Sequence, residues 1–140
     1  MSGVIKTDVT TSPLDIAAHE QWVSRASAGA VVSFQGVVRD HDHGRTVTAL
    51  DYEGHPSAKE VLTQIAEEIA ADEPVQAVAI SHRIGPLEIG DAAIVAAVSC
   101  AHRGEAFEAC RRLVDEAKAR LPIWKHQRFA DGTDEWVNCP

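Results

Sequence analysis

An α+β fold, with a largely antiparallel sheet packed against about three helices, is what this 140-residue chain predicts. Three observations carry the prediction. Three stretches repeat apolar residues at helical spacing. Between them lie apolar or alternating runs that read as strands. Those strands follow one another mostly as hairpin-like neighbours rather than as clean βαβ units, which disfavours a parallel sheet.

The elements follow in order. Residues 1–12 are expected to be a flexible lead-in to one domain spanning 1–140. Ser12 is positioned as an N-cap with Pro13 at the first helical position, and an apolar stripe from Leu14 through Trp22 and Val23 continues to Ala28, where Gly29 stops it. Ala30–Arg39 reads as a strand, with Gly36 marking a bulge or a close backbone approach. After the polar loop Asp40–Arg45, the alternation over Thr46–Tyr52 predicts a second strand that pairs with the first as a hairpin. Pro56–Ala71 is the second helix, with Val61, Leu62, Ile65 and Ile69 on one face. Val75–Ile84 is a strand, Gly85-Pro86 a turn, and Leu87–Asp91 a short strand and turn. Ala92–Ala101 is apolar throughout and reads as a central strand. Arg103–Arg120 is the third helix, which Pro122 cannot continue. Ile123–Phe129 is extended, and Asp131-Gly132 turns the chain into Glu135–Val137.

Charge points to one region. Residues 102–128 hold seven Lys/Arg against four Asp/Glu, a local +3 in a chain of net charge −8. That reversal suggests an anionic ligand such as a phosphate or carboxylate. The acidic balance elsewhere argues against nucleic acid. Arg111, Arg112 and Arg120 read as surface charge on the helix. The beginning of the chain has no apolar core of a signal peptide, and no apolar run approaches a membrane span, so a soluble cytoplasmic protein is expected. Cys100, Cys110 and Cys139 form no CxxC. An odd count suits free thiols in a reducing compartment. Cys100 and Cys110 read as core residues, and Cys139 stands too near the end of the chain to favour as a nucleophile.

Four groups of residues are able to carry chemistry. Lys118 and Lys125 are separated by Pro122, so they meet only if the chain folds back there. Converged ammonium groups would raise each other's cost of being charged, the setting of an acid–base or nucleophilic lysine. His102-Arg103 stands where a strand meets a helix N-terminus, whose free N–H groups and dipole suit a phosphate. His82-Arg83 repeats the dipeptide at a strand end and reads as structural. Arg39 closes a strand after a glycine, within reach of a neighbouring pocket or subunit. Asp40-His41-Asp42-His43 has a spacing compatible with a divalent metal, as in a metal-dependent hydrolase, but lacks a rigid second pair of ligands. No phosphate loop, GxSxG or HExxH is present.

These residues fall in an order that resembles a known family. Phe34-x-Gly36-x-Val38-Arg39, Leu50-x-Tyr52-Glu53, His82-Arg83-x-Gly85-x-Leu87, His102-Arg103-x-x-Ala106-Phe107 and Lys118-x-x-x-Pro122-Ile123-Trp124-Lys125 are similar to the large, catalytic subunits of molybdopterin synthase, the MoaE family, from about Pro13 to Val137. The resemblance implies an α/β hammerhead-type fold and a homodimer at the centre of a heterotetramer. It implies a small ubiquitin-like carrier whose Gly-Gly tail ends in a thiocarboxylate. The substrate it implies is cyclic pyranopterin monophosphate, which receives two sulfurs to become the dithiolene of molybdopterin. No metal and no cofactor are implied. Carried over by position, Lys118 and Lys125 match the essential lysines. Lys125 would assist at the transfer centre and Lys118 would position the thiocarboxylate. His102 and Arg103 match phosphate contacts. Val37, Val38 and Arg39 match a substrate-binding stretch expected to reach across the dimer, and His126 and Gln127 extend it. The family commonly has Glu where this chain has Gln127, so hydrogen bonding survives there but the charge does not. The alternative is a non-catalytic module that holds a ubiquitin-like tail.

Overall fold

The computed structural model describes residues 3–138. Its elements are β1 (Val4–Thr10), α1 (Ile16–Val23), β2 (Ala30–Val37), β3 (His41–Asp42), β4 (Arg45–Gly54), α2 (Ala58–Ala70), β5 (Val75–Arg83), β6 (Gly85–Leu87), β7 (Ala92–Cys100), α3 (Arg103–Arg120), β8 (Ile123–Phe129) and β9 (Asp134–Val137). One sheet has the order β1-β5-β7-β2, and the other β3-β4-β8-β9, with β6 also paired to β4. Every pair is antiparallel except β1–β5. The α+β expectation holds.

The first sheet is covered on both faces, which is why β7 is apolar along its whole length. Successive side chains of a strand point to opposite faces. Val78 and Ile80 of β5, with Ile94, Ala96 and Val98 of β7, therefore join Leu62, Ile65 and Leu113 in the main core under α2 and α3. The alternate residues Ala77, Ala79 and Ala97 are small and meet Val23 of α1. Among the described residues, no helix is long and apolar enough to cross a membrane.

Three expectations are corrected. Residues 4–10 are not a loose lead-in. They form the edge strand β1 in parallel register with β5, pinned to α2 by a 2.7 Å contact between the Thr7 and Thr63 hydroxyls. The first helix is shorter than its apolar stripe. Asp15, not Ser12, is the N-cap and accepts from the Ala18 N–H, while the Ser12 N–H is held by Thr10 Oγ1 in the turn leaving β1. The helix closes at Ser24, which is extended, with Ser24 and Arg25 side chains bonding its last carbonyls.

The third correction bears on the site. β2 and β4 are not a hairpin. β2 pairs with β7, and β4 crosses to the second sheet to pair with β8. Gly36 lets β2 lie close to β7: a Cβ there would stand 2.9 Å from Ile94 Cγ2, and the register slips between Gly36 and Val37. Val38 then bonds the backbone of Asp91 and Gly90 instead of a strand partner, and the chain swings away from the first sheet. The intervening polar loop makes a hairpin of its own, β3–β4, around His43 and Gly44. Both have positive φ, as a tight two-residue hairpin turn of this hand requires.

Candidate active site

The site is built on the β4–β8 ribbon. Pro122 ends α3, Leu121 is already extended, and the Pro122 carbonyl accepts from the His55 N–H. The chain thereby reverses into β8, and its register sets Tyr52 opposite Lys125 and Leu50 opposite Gln127. By the two-residue period these four share one face. Val37, Val38, Arg39 and His41 close the same small cleft. The sequence-predicted residues Val37, Val38, Arg39, Lys125 and Gln127 are thus brought together within one chain. The expected reach of the 37–39 stretch across a dimer is not needed to meet Lys125. The crossing between sheets does it, by carrying the end of β2 to the side of β8.

Beneath the cleft lies a polar network. Gln127 is 4% exposed. Its amide donates to Asp42 Oδ2 at 2.7 Å and to Glu135 Oε1 at 3.0 Å. Asp42 in turn accepts from Arg39 at 3.4 Å. The Gln127 hydrogen bond, opposed by partial burial and helped by the charges of His43, Lys125 and Arg39, holds the Asp42 carboxyl below its ordinary range. Gln127 therefore does what Glu cannot: it places two donors between two carboxylates. Gln127→Glu removes both hydrogen bonds and adds a third carboxylate. It is expected to cost about 2 kcal/mol of stability at pH 7, and less at pH 5, where one of the three can take up a proton. Urea unfolding at the two pH values measures this.

The two lysines approach from different elements. Lys125 lies across the ribbon from Tyr52. Lys118, on the last turn of α3, is near enough to His82 for its charge to be felt there. His82 and Tyr52 are in direct edge-on contact, with ring centroids 4.9 Å apart and planes at 79°. Lys118 and Lys125 accordingly flank one buried Tyr52–His82 pair, and the reversal at Pro122 is what allows it. Burial pushes the His82 pKa down to about 4, with Lys118 adding to the effect and the bond to the Arg83 carbonyl opposing it.

Other candidates lie elsewhere. His102 is the N-cap of α3 without a side-chain cap bond, and both it and Arg103 are exposed. Arg103 and Lys118 are fifteen positions apart on one helix, which at the helical rise is about 22 Å. His102 and Arg103 therefore do not share a pocket with Lys118 in one chain. His126 points to the opposite face of the ribbon from Lys125 and Gln127. It contacts Asp134 at 2.6 Å and stacks on Trp136 with centroids 4.3 Å apart, tying β8 to β9. Arg111, Arg112 and Arg120 pair with Asp115, Asp72 and with Glu68 and Glu116, respectively. The local excess of positive charge is thus partly spent on structure. Arg83 pairs with Asp91, and the His82 side chain is fully buried.

No group of three or more His, Cys, Asp or Glu suited to hold a metal ion occurs among the described residues. Asp42 of the candidate metal loop is engaged by Gln127 and Arg39. Cys100 and Cys110 are buried, and burial raises both thiols, Cys110 to about 11. Neither is poised as a thiolate nucleophile. The expectation for Cys139 lies outside the described residues. Sequence reasoning missed Glu135 as part of the site, and singled out Asp42 only as a candidate metal ligand and Tyr52 only as a motif residue. The available signal was the shared alternation of 50/52 and 125/127, which becomes legible once the two strands are known to pair.

Fold and cleft define an α+β protein with a lysine-bearing cleft, suited to anionic groups, where its two sheets meet. The chain belongs to the MoaE protein family, whose model matches residues 9–120. It is 39% identical over 132 residues to the molybdopterin synthase catalytic subunit of Nostoc sp. (strain PCC 7120 / SAG 25.82 / UTEX 2576), covering 93% of this chain and 80% of that protein. Lys125 falls beyond the family-model match but within the share of chain that such relatives span. The crystal structure of molybdopterin synthase from Staphylococcus aureus superimposes with a TM-score of 0.84 at 34% identity, over 92% of this chain and 94% of that one. A complex of subunits 1 and 2 of molybdopterin-converting factor from Helicobacter pylori 26695 shares the fold, with a TM-score of 0.72 at 20% identity over 95% of this chain and 89% of that one.

Proposed function

We propose that this chain is the catalytic subunit of a molybdopterin synthase, a sulfurtransferase of molybdenum cofactor biosynthesis acting in the cytoplasm. It moves sulfur from the C-terminal thiocarboxylate of a small ubiquitin-like carrier to cyclic pyranopterin monophosphate. The observation that carries this reading is a cleft lined by Lys125 and Arg39 in a chain whose described thiols are both buried and held protonated. Neither described thiol is available as the sulfur nucleophile, whereas a thiocarboxylate tail is anionic and already nucleophilic. In each transfer a carbon–sulfur bond forms on the pterin side chain as a carbon–oxygen bond breaks, the oxygen leaving on the phosphate as the cyclic ester opens or as water. Water oxygen takes the place of sulfur on the carrier, which leaves as a carboxylate. Two such transfers give the dithiolene. Lys118 positions the tail, and Lys125 delivers or removes the proton at the transfer centre. Val37, Val38, Arg39 and Gln127 shape the pterin side of the cleft. The test is reconstitution: purified chain plus thiocarboxylated carrier should convert the cyclic pterin into molybdopterin. Product no greater than a carrier-only blank would sink the reading. Tight carrier binding without transfer would favour the non-catalytic alternative.

The 22 Å separation of Arg103 from Lys118 along α3 supports a composite site in a homodimer. In this reading His102 and Arg103 bind the pterin phosphate in the partner's cleft. Mixed dimers of Lys125→Ala and Arg103→Ala chains then contain one fully intact site. An equimolar, fully exchanged mixture is expected to recover about a quarter of wild-type activity, although each parent alone is nearly inactive. Activity no higher than that of the parents would overturn the composite site.

A further inference from the structure

One buried polar atom near the cleft has no partner. His82 Nε2 belongs to a side chain with no solvent exposure and makes no hydrogen bond among the described residues. The other ring nitrogen, Nδ1, lies 2.7 Å from the Arg83 carbonyl oxygen. A carbonyl only accepts, so Nδ1 carries the proton. In the neutral ring Nε2 is then an acceptor with a free lone pair, and burial keeps the ring neutral. A buried acceptor left unpaired is unfavourable and rare, which makes its surroundings informative.

Those surroundings are specific. On the flanking strands His82 is paired with Val9 of β1 and Ile94 of β7, which offer no side-chain donor. Arg83, its neighbour on β5, is turned to Asp91 and the Thr11 carbonyl. From β4 comes Tyr52, which meets the imidazole ring against ring. From α3 comes Lys118, the charged group that acts on His82. An ammonium on a flexible four-carbon stem with three donors is the group best able to reach a fixed acceptor.

We propose that His82 is a positioning residue for Lys118: its Nε2 accepts a hydrogen bond from the Lys118 ammonium and fixes that charge beside the cleft while the carrier's anionic tail is bound. This rests on the reading of Lys118 as the group that positions the thiocarboxylate. A neutral imidazole suits the task because it offers a lone pair without opposing the lysine's charge.

Two variants separate positioning from packing. In His82→Asn the side-chain amide can replace the Nδ1 donor to the Arg83 carbonyl, but nothing reaches the place of Nε2. In His82→Gln the amide oxygen can reach that place. With thiocarboxylated carrier and cyclic pterin, His82→Asn is expected to raise KM for the carrier about tenfold with kcat much less affected, and His82→Gln to stay within about threefold of wild type. Equal behaviour of the two variants would overturn the assignment. Lys118→Ala, assayed alongside, keeps the two ideas apart: a normal KM for the carrier in that variant removes the underlying reading of Lys118. A defect there, with His82→Asn and His82→Gln alike, removes only the role of His82. Should His82→Asn not fold, the ¹⁵N resonance of His82 Nε2 in the otherwise native chain decides. Carrier binding is expected to shift it in wild type but not in Lys118→Ala, and an unchanged resonance in wild type overturns the proposal.

Discussion

Lys125→Ala is expected to lower the rate of sulfur transfer by about 10²- to 10⁴-fold, the usual contribution of a positioned proton-transfer group, while leaving the fold in place. The side chain sits in the middle of β8, where its backbone pairs with Tyr52 on one side and Val137 on the other. Alanine keeps both ladders. Among the described residues Lys125 has no carboxylate within ion-pair distance, so truncation breaks no such bridge and orphans no buried charge. The stability cost should stay within about 1 kcal/mol, the span of strand propensities. Single-turnover conversion by a stoichiometric thiocarboxylated carrier measures the chemical step, and thermal unfolding checks the fold. Lys125→Arg sharpens the result. Arginine keeps the positive charge but does not give up its proton near neutral pH. If Lys125 acts by proton transfer, Arg should be nearly as inactive as Ala. An active Arg variant would reduce Lys125 to a counter-charge, and near-normal activity of Ala would remove it from the centre altogether.

What could be seen in advance follows from how local each determinant is. The limits of α3 were legible because a strand end, a change to helical spacing and Pro122 all lie within the segment itself. The partnership of β2 was not. Its apolar alternation says that it belongs to a sheet, but the choice between β4, the next long strand, and β7, some sixty residues on, is made by the packing of α1 and α3 on opposite faces of one sheet. Neighbouring motif residues misled in a similar way. His126 follows Lys125 directly, yet a strand turns consecutive side chains to opposite faces, so adjacency separates them. His102, Arg103 and Lys118 share a helix, yet lie at its two ends. Gln127 shows the reverse case. Read alone it is a lost charge; between Asp42 and Glu135 it is the residue that lets two acids stand together.

Acid should destabilise the protein through His82, and most of the loss should disappear when that residue cannot titrate. The imidazole is buried in the native chain, where its pKa is about 4, against an ordinary value of 6.5. Between those values the unfolded chain binds a proton that the native one does not, so stability falls as the pH falls. The contribution is fully present above about pH 6.5 and is lost progressively by about pH 4. A shift of this size corresponds to about 3 kcal/mol, a large fraction of the 5–15 kcal/mol typical of a folded domain. Asp40, Asp42 and Asp131 are held below their ordinary range and so also favour the native state above it, losing that advantage in stronger acid. Comparison with His82→Gln isolates the histidine, because both chains carry the same carboxylates. Denaturant unfolding at pH 7 and pH 4 should show wild type losing about 3 kcal/mol more than the variant. Parallel losses in the two chains would mean that the imidazole is protonated in the native state at pH 4, and that its ring is hydrated or paired with an acid.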